Sequence, residues 1–164
     1  MKGIEDKLKG LGFGFNGLPK PGGSYVSVNV RANIAYVAIQ FPIKNETFLY
    51  QGRLGSAVTT EDGYKAAELC AINIMAQMAT YVGLEKIKGL NHLDIYYQQT
   101  EDWDEGPLVA DGASNLFLEI GNDKGRHTRA IFGVAHLPRN FSVGITSSLQ
   151  SVNQSTRSIH CSKH

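Results

Sequence analysis

Apolar residues recur along this chain with two different periods, and each change of period marks an element. Ile4, Leu8 and Leu11 share one face of a short helix that Gly10 and Gly12 end. Residues 14–23 are rich in Gly and Pro and read as a connecting loop. Val26, Val28 and Val30 then alternate with Ser27, Asn29 and Arg31, which predicts a strand with one polar face. Arg31, Ala32 and Asn33 suit a turn. Residues 34–41 are apolar at both parities, Ile34, Tyr36 and Ala38 against Ala35, Val37 and Ile39, as in a strand buried on both sides. Pro42 stops that run, and residues 47–50 add a short strand.

The pattern lengthens to a helical period over residues 60–82. Thr59 and Thr60 are good N-caps, Glu61 and Asp62 complement the helix dipole, and Gly83 fits the stop. Ala66, Leu69, Cys70, Asn73, Ile74, Gln77 and Met78 follow helical spacing, over a length of about 34 Å. Residues 87–97 return to strand, 98–106 form an acidic loop, and 107–120 predict a second helix. Residues 128–136 and 141–149 predict two last strands, joined by a turn at Pro138, Arg139 and Asn140. The order β-β-β-α-β-α-β-β implies an α+β fold, with one mixed sheet carrying both long helices on one face. Two helices leave the other face bare, yet the 34–41 strand is apolar on both sides. A second copy of the chain is the economical cover. Residues 151–164 hold little to bury and are expected to be a disordered tail. The organisation is thus a short helix and loop over 1–23, one domain over 24–150, and the tail.

Composition changes this picture by exclusion. Sixteen basic residues against fifteen acidic give a net charge of +1, without the basic excess that phosphate binding needs. Cys70 falls in an apolar helical pattern and Cys161 in the polar tail, which is no disulfide framework. No apolar run has the length of a signal peptide or a membrane span, so the cytoplasm is the expected compartment. Glu101, Asp102, Asp104 and Glu105 surround Trp103 without the turn and spacing of a calcium loop. His160, Cys161 and His164 are ligand types on a polar tail, too few to specify a site. No metal or cofactor is expected. His92 and His136 read as satisfied strand histidines, Arg126 and His127 as solvated loop residues, and Cys70 as core.

The run from Gly125 to Pro138, Gly-Arg-His-Thr-Arg-Ala-Ile-Phe-Gly-Val-Ala-His-Leu-Pro, resembles the signature of the RidA/YjgF family. There an Arg-bearing strand runs into a Val-Ala-x-Leu-Pro turn before the last strand. Gly23-Ser24-Tyr25 resembles the family's Gly-Pro-Tyr entry to the first strand. Val37-Ala38-Ile39-Gln40-Phe41-Pro42 resembles its Ser-Gly-Gln-x-Pro segment. Gly112-Ala113-Ser114 and the N-terminal helix resemble a branch with a longer N-terminus. The resemblance covers residues 24–149. It implies a chorismate-mutase-like fold, a homotrimer with clefts between subunits, and a small carboxylate-bearing ligand. Its deaminase branch hydrolyses enamines and imines such as 2-aminoacrylate to 2-keto acids and ammonia, and some relatives are described as ribonucleases.

Spacing alone leaves Arg129 with two readings: an ion pair across a subunit interface, or a clamp whose planar fork matches a ligand carboxylate. The resemblance implies the clamp. It also assigns Tyr25, Ala38, Ile39 and Ile131 to the cleft, with the Ile131 backbone helping to hold an oxygen. The glutamate that positions water in the deaminase branch falls at Gly144, two residues before Thr146. Asp111 is expected to cap the second helix or to face the cleft, where the branch usually carries an amide. Three functions follow from the resemblance: an enamine/imine hydrolase of weak or altered activity, a ligand-binding or regulatory trimer without chemistry, and an endoribonuclease, which lacks a basic groove and an acid–base pair. Gly144→Glu is expected to restore hydrolysis if only the carboxylate is missing.

Overall fold

The computed structural model describes residues 3–12 and 17–152. A helix at Ile4–Gly10 (α1) precedes strands Val28–Arg31 (β1) and Ile34–Gln40 (β2). A small hairpin follows, Ile43–Lys44 (β3) and Thr47–Phe48 (β4), where sequence reading expected one strand. The long helix Thr60–Tyr81 (α2), strand Ile87–Gln98 (β5), helix Gly106–Gly121 (α3), and strands Thr128–Val134 (β6) and Val143–Ser151 (β7) complete the order. Five strands form one mixed sheet in the order β1-β2-β7-β5-β6, with only β5 and β6 parallel. Among the described residues no helix is long and apolar enough to cross a membrane.

Local chemistry explains the elements. Both hairpins turn on two residues with positive φ, Ala32 and Asn33, then Asn45 and Glu46, the geometry that matches strand twist. The Thr59 side chain accepts from the Asp62 N–H at 3.1 Å, and Asp62 reaches back to the Thr59 N–H at 3.4 Å, closing a capping box on α2. From Ala66 to Met78 every residue of α2 except Glu68 is buried, because α2 packs against the sheet on one side and α3 on another. Ile4 and Leu8 of α1 join the same core, whereas Leu11 falls past the helix end and is exposed. Ser151 ends β7 and donates to the Asn33 carbonyl at 2.8 Å, so the sheet runs one residue beyond 150.

Register sorts the faces. Ala35 and Val37 of β2 pair with Leu149 and Ser147 of β7 and face the helices. Tyr36, Tyr96 and Phe132 point the other way; Tyr36 and Phe132 are exposed, and Tyr96 stacks on Phe132 at 5.2 Å. Among the described residues no helix covers that side. Beyond Val37 the register slips, since three steps on β2 to Gln40 match two on β7 to Ile145. Ala38 and Ile39 form this bulge, which re-aims both side chains out of the sheet. The buried Gln40 amide donates to their carbonyls at 3.0 and 3.3 Å and holds it in shape.

Candidate functional site

Arg129 sits on β6, the edge strand that pairs only with β5. It lies opposite the buried Leu93, so its side chain runs on the helix side, beneath the first turns of α3. Its Nη1 donates to Asp111 Oδ1 at 2.7 Å and to Ser114 Oγ at 3.0 Å; Nη2 reaches the Pro107 carbonyl at 3.4 Å. The partner carboxylate is therefore in the same chain, one turn before Ser114 on α3. It does not cap α3, whose N-cap is Glu105. Nε has no hydrogen-bond partner among the described residues. With Arg129 27% and Asp111 43% exposed, this pair is open to an incoming molecule along the Nε–Nη2 edge.

A second layer supports the pair. The chain enters β6 through a turn at Asn122–Gly125 that passes against α3; a Cβ on Gly125 would stand 2.0 Å from the Phe117 carbonyl oxygen. That close approach brings His127 to Ser114. His127 Nδ1 lies 2.6 Å from the Gly125 carbonyl and Nε2 lies 3.0 Å from Ser114 Oγ. A carbonyl only accepts, so Nδ1 carries the proton, Nε2 accepts from the Ser114 hydroxyl, and the serine lone pairs face Arg129. His127 is thus half-buried and bonded at both nitrogens, not a solvated loop residue as the sequence suggested. Ile131 is half-buried against the core, two residues along the same face.

The other expected residues gather elsewhere. Tyr25, Ala38 and Ile39 line a cavity of about 780 Å³. Tyr25 is half-exposed, and its hydroxyl accepts from the Gly22 N–H at 3.0 Å. Phe41, Phe48 and Phe141 make the apolar wall: Phe41 stacks on Phe141 at 4.8 Å, and Phe48 meets its edge at 5.1 Å. Gly144 lies beneath this wall. A Cβ there would stand 2.7 Å from Phe41 and 2.8 Å from Ile39. The space above Gly144 is therefore filled by neighbouring apolar side chains. Thr146, the next position on that face, donates to Asp94 at 3.4 Å.

The two groups cannot meet in one chain. β2 and β6 are three strand spacings apart in the sheet, roughly 14 Å at about 4.8 Å per spacing. Arg129 with Ile131 and Tyr25 with Ala38 and Ile39 occupy opposite sides of the molecule.

The remaining candidates have structural partners. His92 bonds Thr128 at 2.7 Å and Asp94 at 3.0 Å, while His136 lies beyond the end of β6 and is exposed. Glu105 accepts from the Thr60 hydroxyl, which in turn accepts from Trp103 Nε1 at 2.9 Å. Burial, with help from Asp104, raises the Tyr97 hydroxyl above its ordinary range, and burial pushes the Cys70 thiol up as expected of a core cysteine. Among the described residues no group of three or more His, Cys, Asp or Glu is placed to hold a metal. His160, Cys161, His164 and most of the tail lie outside the described residues.

An α+β sheet with two long helices on one face and an arginine on its edge strand defines the chorismate-mutase-like class. Residues 7–147 match the family described as "YjgF/chorismate mutase-like, putative endoribonuclease". The chain belongs to this family, the RidA/YjgF family. It is 31% identical over 137 residues to protein TCP17 of Trypanosoma cruzi, covering 82% of this chain and 86% of that protein. The crystal structure of the protein Atu1372 from Agrobacterium tumefaciens is 37% identical and covers 91% of this chain and 92% of its own, with a TM-score of 0.82. TdcF of E. coli with bound serine, 15% identical over 83% of this chain and 94% of its own with a TM-score of 0.58, shares the fold.

Proposed function

We propose that this chain binds a small carboxylate-bearing molecule in clefts between the subunits of a homotrimer, with Arg129 from one copy and Tyr25, Ala38 and Ile39 from the next. The observation that carries this reading is the state of Arg129. Asp111 and Ser114 hold its Nη1, Nη2 reaches the Pro107 carbonyl only at 3.4 Å, and Nε has no partner among the described residues, which leaves donors on the Nε–Nη2 side of the fork for a carboxylate. Asp111, held on Nη1, also offers an acceptor next to the guanidinium, suited to an N–H on the same ligand. A molecule joining a carboxylate to an amine or imine nitrogen fits both, and the serine bound by TdcF has that form. Half-sites on opposite sides of one sheet suit a head-to-tail contact, and such contacts close into rings. The bare face with Tyr36 and Phe132 suits the inside of such a ring. Light scattering at micromolar concentration should give the mass of a trimer; a stable monomer rules the shared cleft out.

Enamine or imine hydrolysis is proposed to be weak or lost, leaving binding as the main activity. The support is the packing at Gly144. Against the simple expectation from sequence, Gly144→Glu should not restore chemistry, because its Cβ would overlap Phe41 and Ile39. Overpacking of this kind costs about 1–3 kcal/mol. The variant should melt lower and release no more 2-keto acid from freshly generated 2-aminoacrylate than the parent. A clear gain in release would show that the wall yields and that only the carboxylate was missing.

A further inference from the structure

We infer that the ligand carries a ring: the cavity beside Tyr25 selects a carboxylic acid with an aromatic substituent over a short-chain acid. This rests on the reading of Arg129 as the carboxylate clamp and adds the other end of the molecule. Three observations carry it. The cavity, at about 780 Å³, falls in the range that accommodates drug-sized ligands, and a three-carbon acid would leave most of it as water against phenyl walls. Its wall is an ordered aromatic corner, with Phe41 stacked parallel on Phe141 at 12° and Phe48 edge-on to Phe141 at 62°. A ring entering beside Phe48 would extend this cluster by stacking or by an edge contact, the two arrangements aromatic pairs prefer. Phe41 and Ile39, which line the cavity, close over Gly144 behind them, so β7 brings no polar side chain through the wall at that position. The charge at the opening fits as well. Lys20 and Arg139 both line it, neither has an ion-pair partner among the described residues, and Glu46 is the only acid on the lining, so the entrance favours an anion.

The bulge at Ala38 and Ile39 is what makes the space. Without the extra residue, Ile39 would keep the alternation and point toward the helices, and the wall beside Gly144 would lose its aliphatic corner. Phe48 is the residue to test, because it is 43% exposed on a two-residue strand and its loss leaves the core intact.

Calorimetric titration of the assembled protein with pyruvate and with phenylpyruvate tests the inference. Phenylpyruvate should bind tighter on the order of 30-fold, the effect of placing one phenyl ring in an apolar aromatic site. Phe48→Ala should cut that preference to a few-fold. Arg129→Ala should weaken both acids alike. Equal affinities for the two acids, with both still dependent on Arg129, overturn the ring and leave the clamp standing. Binding of neither acid, or binding indifferent to Arg129, overturns the clamp and the ring with it. A ring preference that survives Phe48→Ala places the ring elsewhere and refutes this cavity.

Discussion

Arg129→Ala is expected to weaken binding of a simple 2-keto acid by about 10- to 150-fold, the equivalent of about 1.5–3 kcal/mol for a charge-assisted pair. Two effects add. The fork that meets the carboxylate is gone, and Asp111, no longer neutralised, repels an anion at the same place. Stability should change little, because the stranded Asp111 side chain is 43% exposed and water replaces its partner. Arg129→Lys keeps the charge and loses the planar fork, so its affinity should fall between wild type and the alanine variant. If the pair were only a structural tie, the alanine variant would lose stability and keep its affinity. Paired melting curves and titrations separate the cases.

Gly112→Ala is expected to damage the protein far more than its size suggests, costing about 3 kcal/mol or more. Gly112 lies where α3 crosses α2, and a Cβ there would stand 2.0 Å from the Tyr64 carbonyl oxygen and 2.9 Å from its carbon. These are backbone atoms of a helix buried along most of its length, so neither side can give way by turning a side chain. The helices must separate, and they pack along many residues around one core. Asp111 and Ser114 flank the crossing, so any movement also pulls the two groups that hold Arg129. A large fall in melting temperature, with weakened ligand binding in whatever folds, is the expected result. A variant that melts within a degree of wild type would show that α3 shifts at no cost.

Much of this architecture is legible in the residue pattern. The capping box and the helical spacing of Ala66, Leu69, Cys70 and Ile74 specify α2, and the alternation of Leu93, Ile95 and Tyr97 specifies the inward face of β5. The bulge is not legible, because residues 34–41 are apolar at both parities and one extra residue leaves no mark on such a run. The β3–β4 hairpin is hidden for another reason: strands of two residues are too short to carry a period. At the site, the sequence pointed to Arg129 through its apolar surroundings but gave no reason to pair it within the chain. Asp111 lies eighteen positions earlier and Ser114 fifteen, on a helix seated by Gly112 against α2 and by the close pass of Gly125 before β6. His127 was the plainest miss. Its position before the strand reads as loop, and only the close pass at Gly125 turns it under α3. The signal for it was there in composition, as Gly125-Arg126-His127 sets a glycine able to approach a helix two residues before an imidazole.

Each site is proposed to be shared between two copies of the chain, and mixing two variants puts that sharing to the test. Arg129→Ala removes one half-site, and Ala38→Phe fills the other, since Ala38 lines the cavity from the bulge. Each variant alone should assemble and fail to bind the 2-keto acid. Unfolded and refolded together in equal amounts, they should recover about one quarter of the wild-type sites, the share of neighbouring pairs that unite an intact arginine with an intact cavity. A mixture that binds no better than its two components contradicts the shared site, and with it the account of what this protein is built to hold.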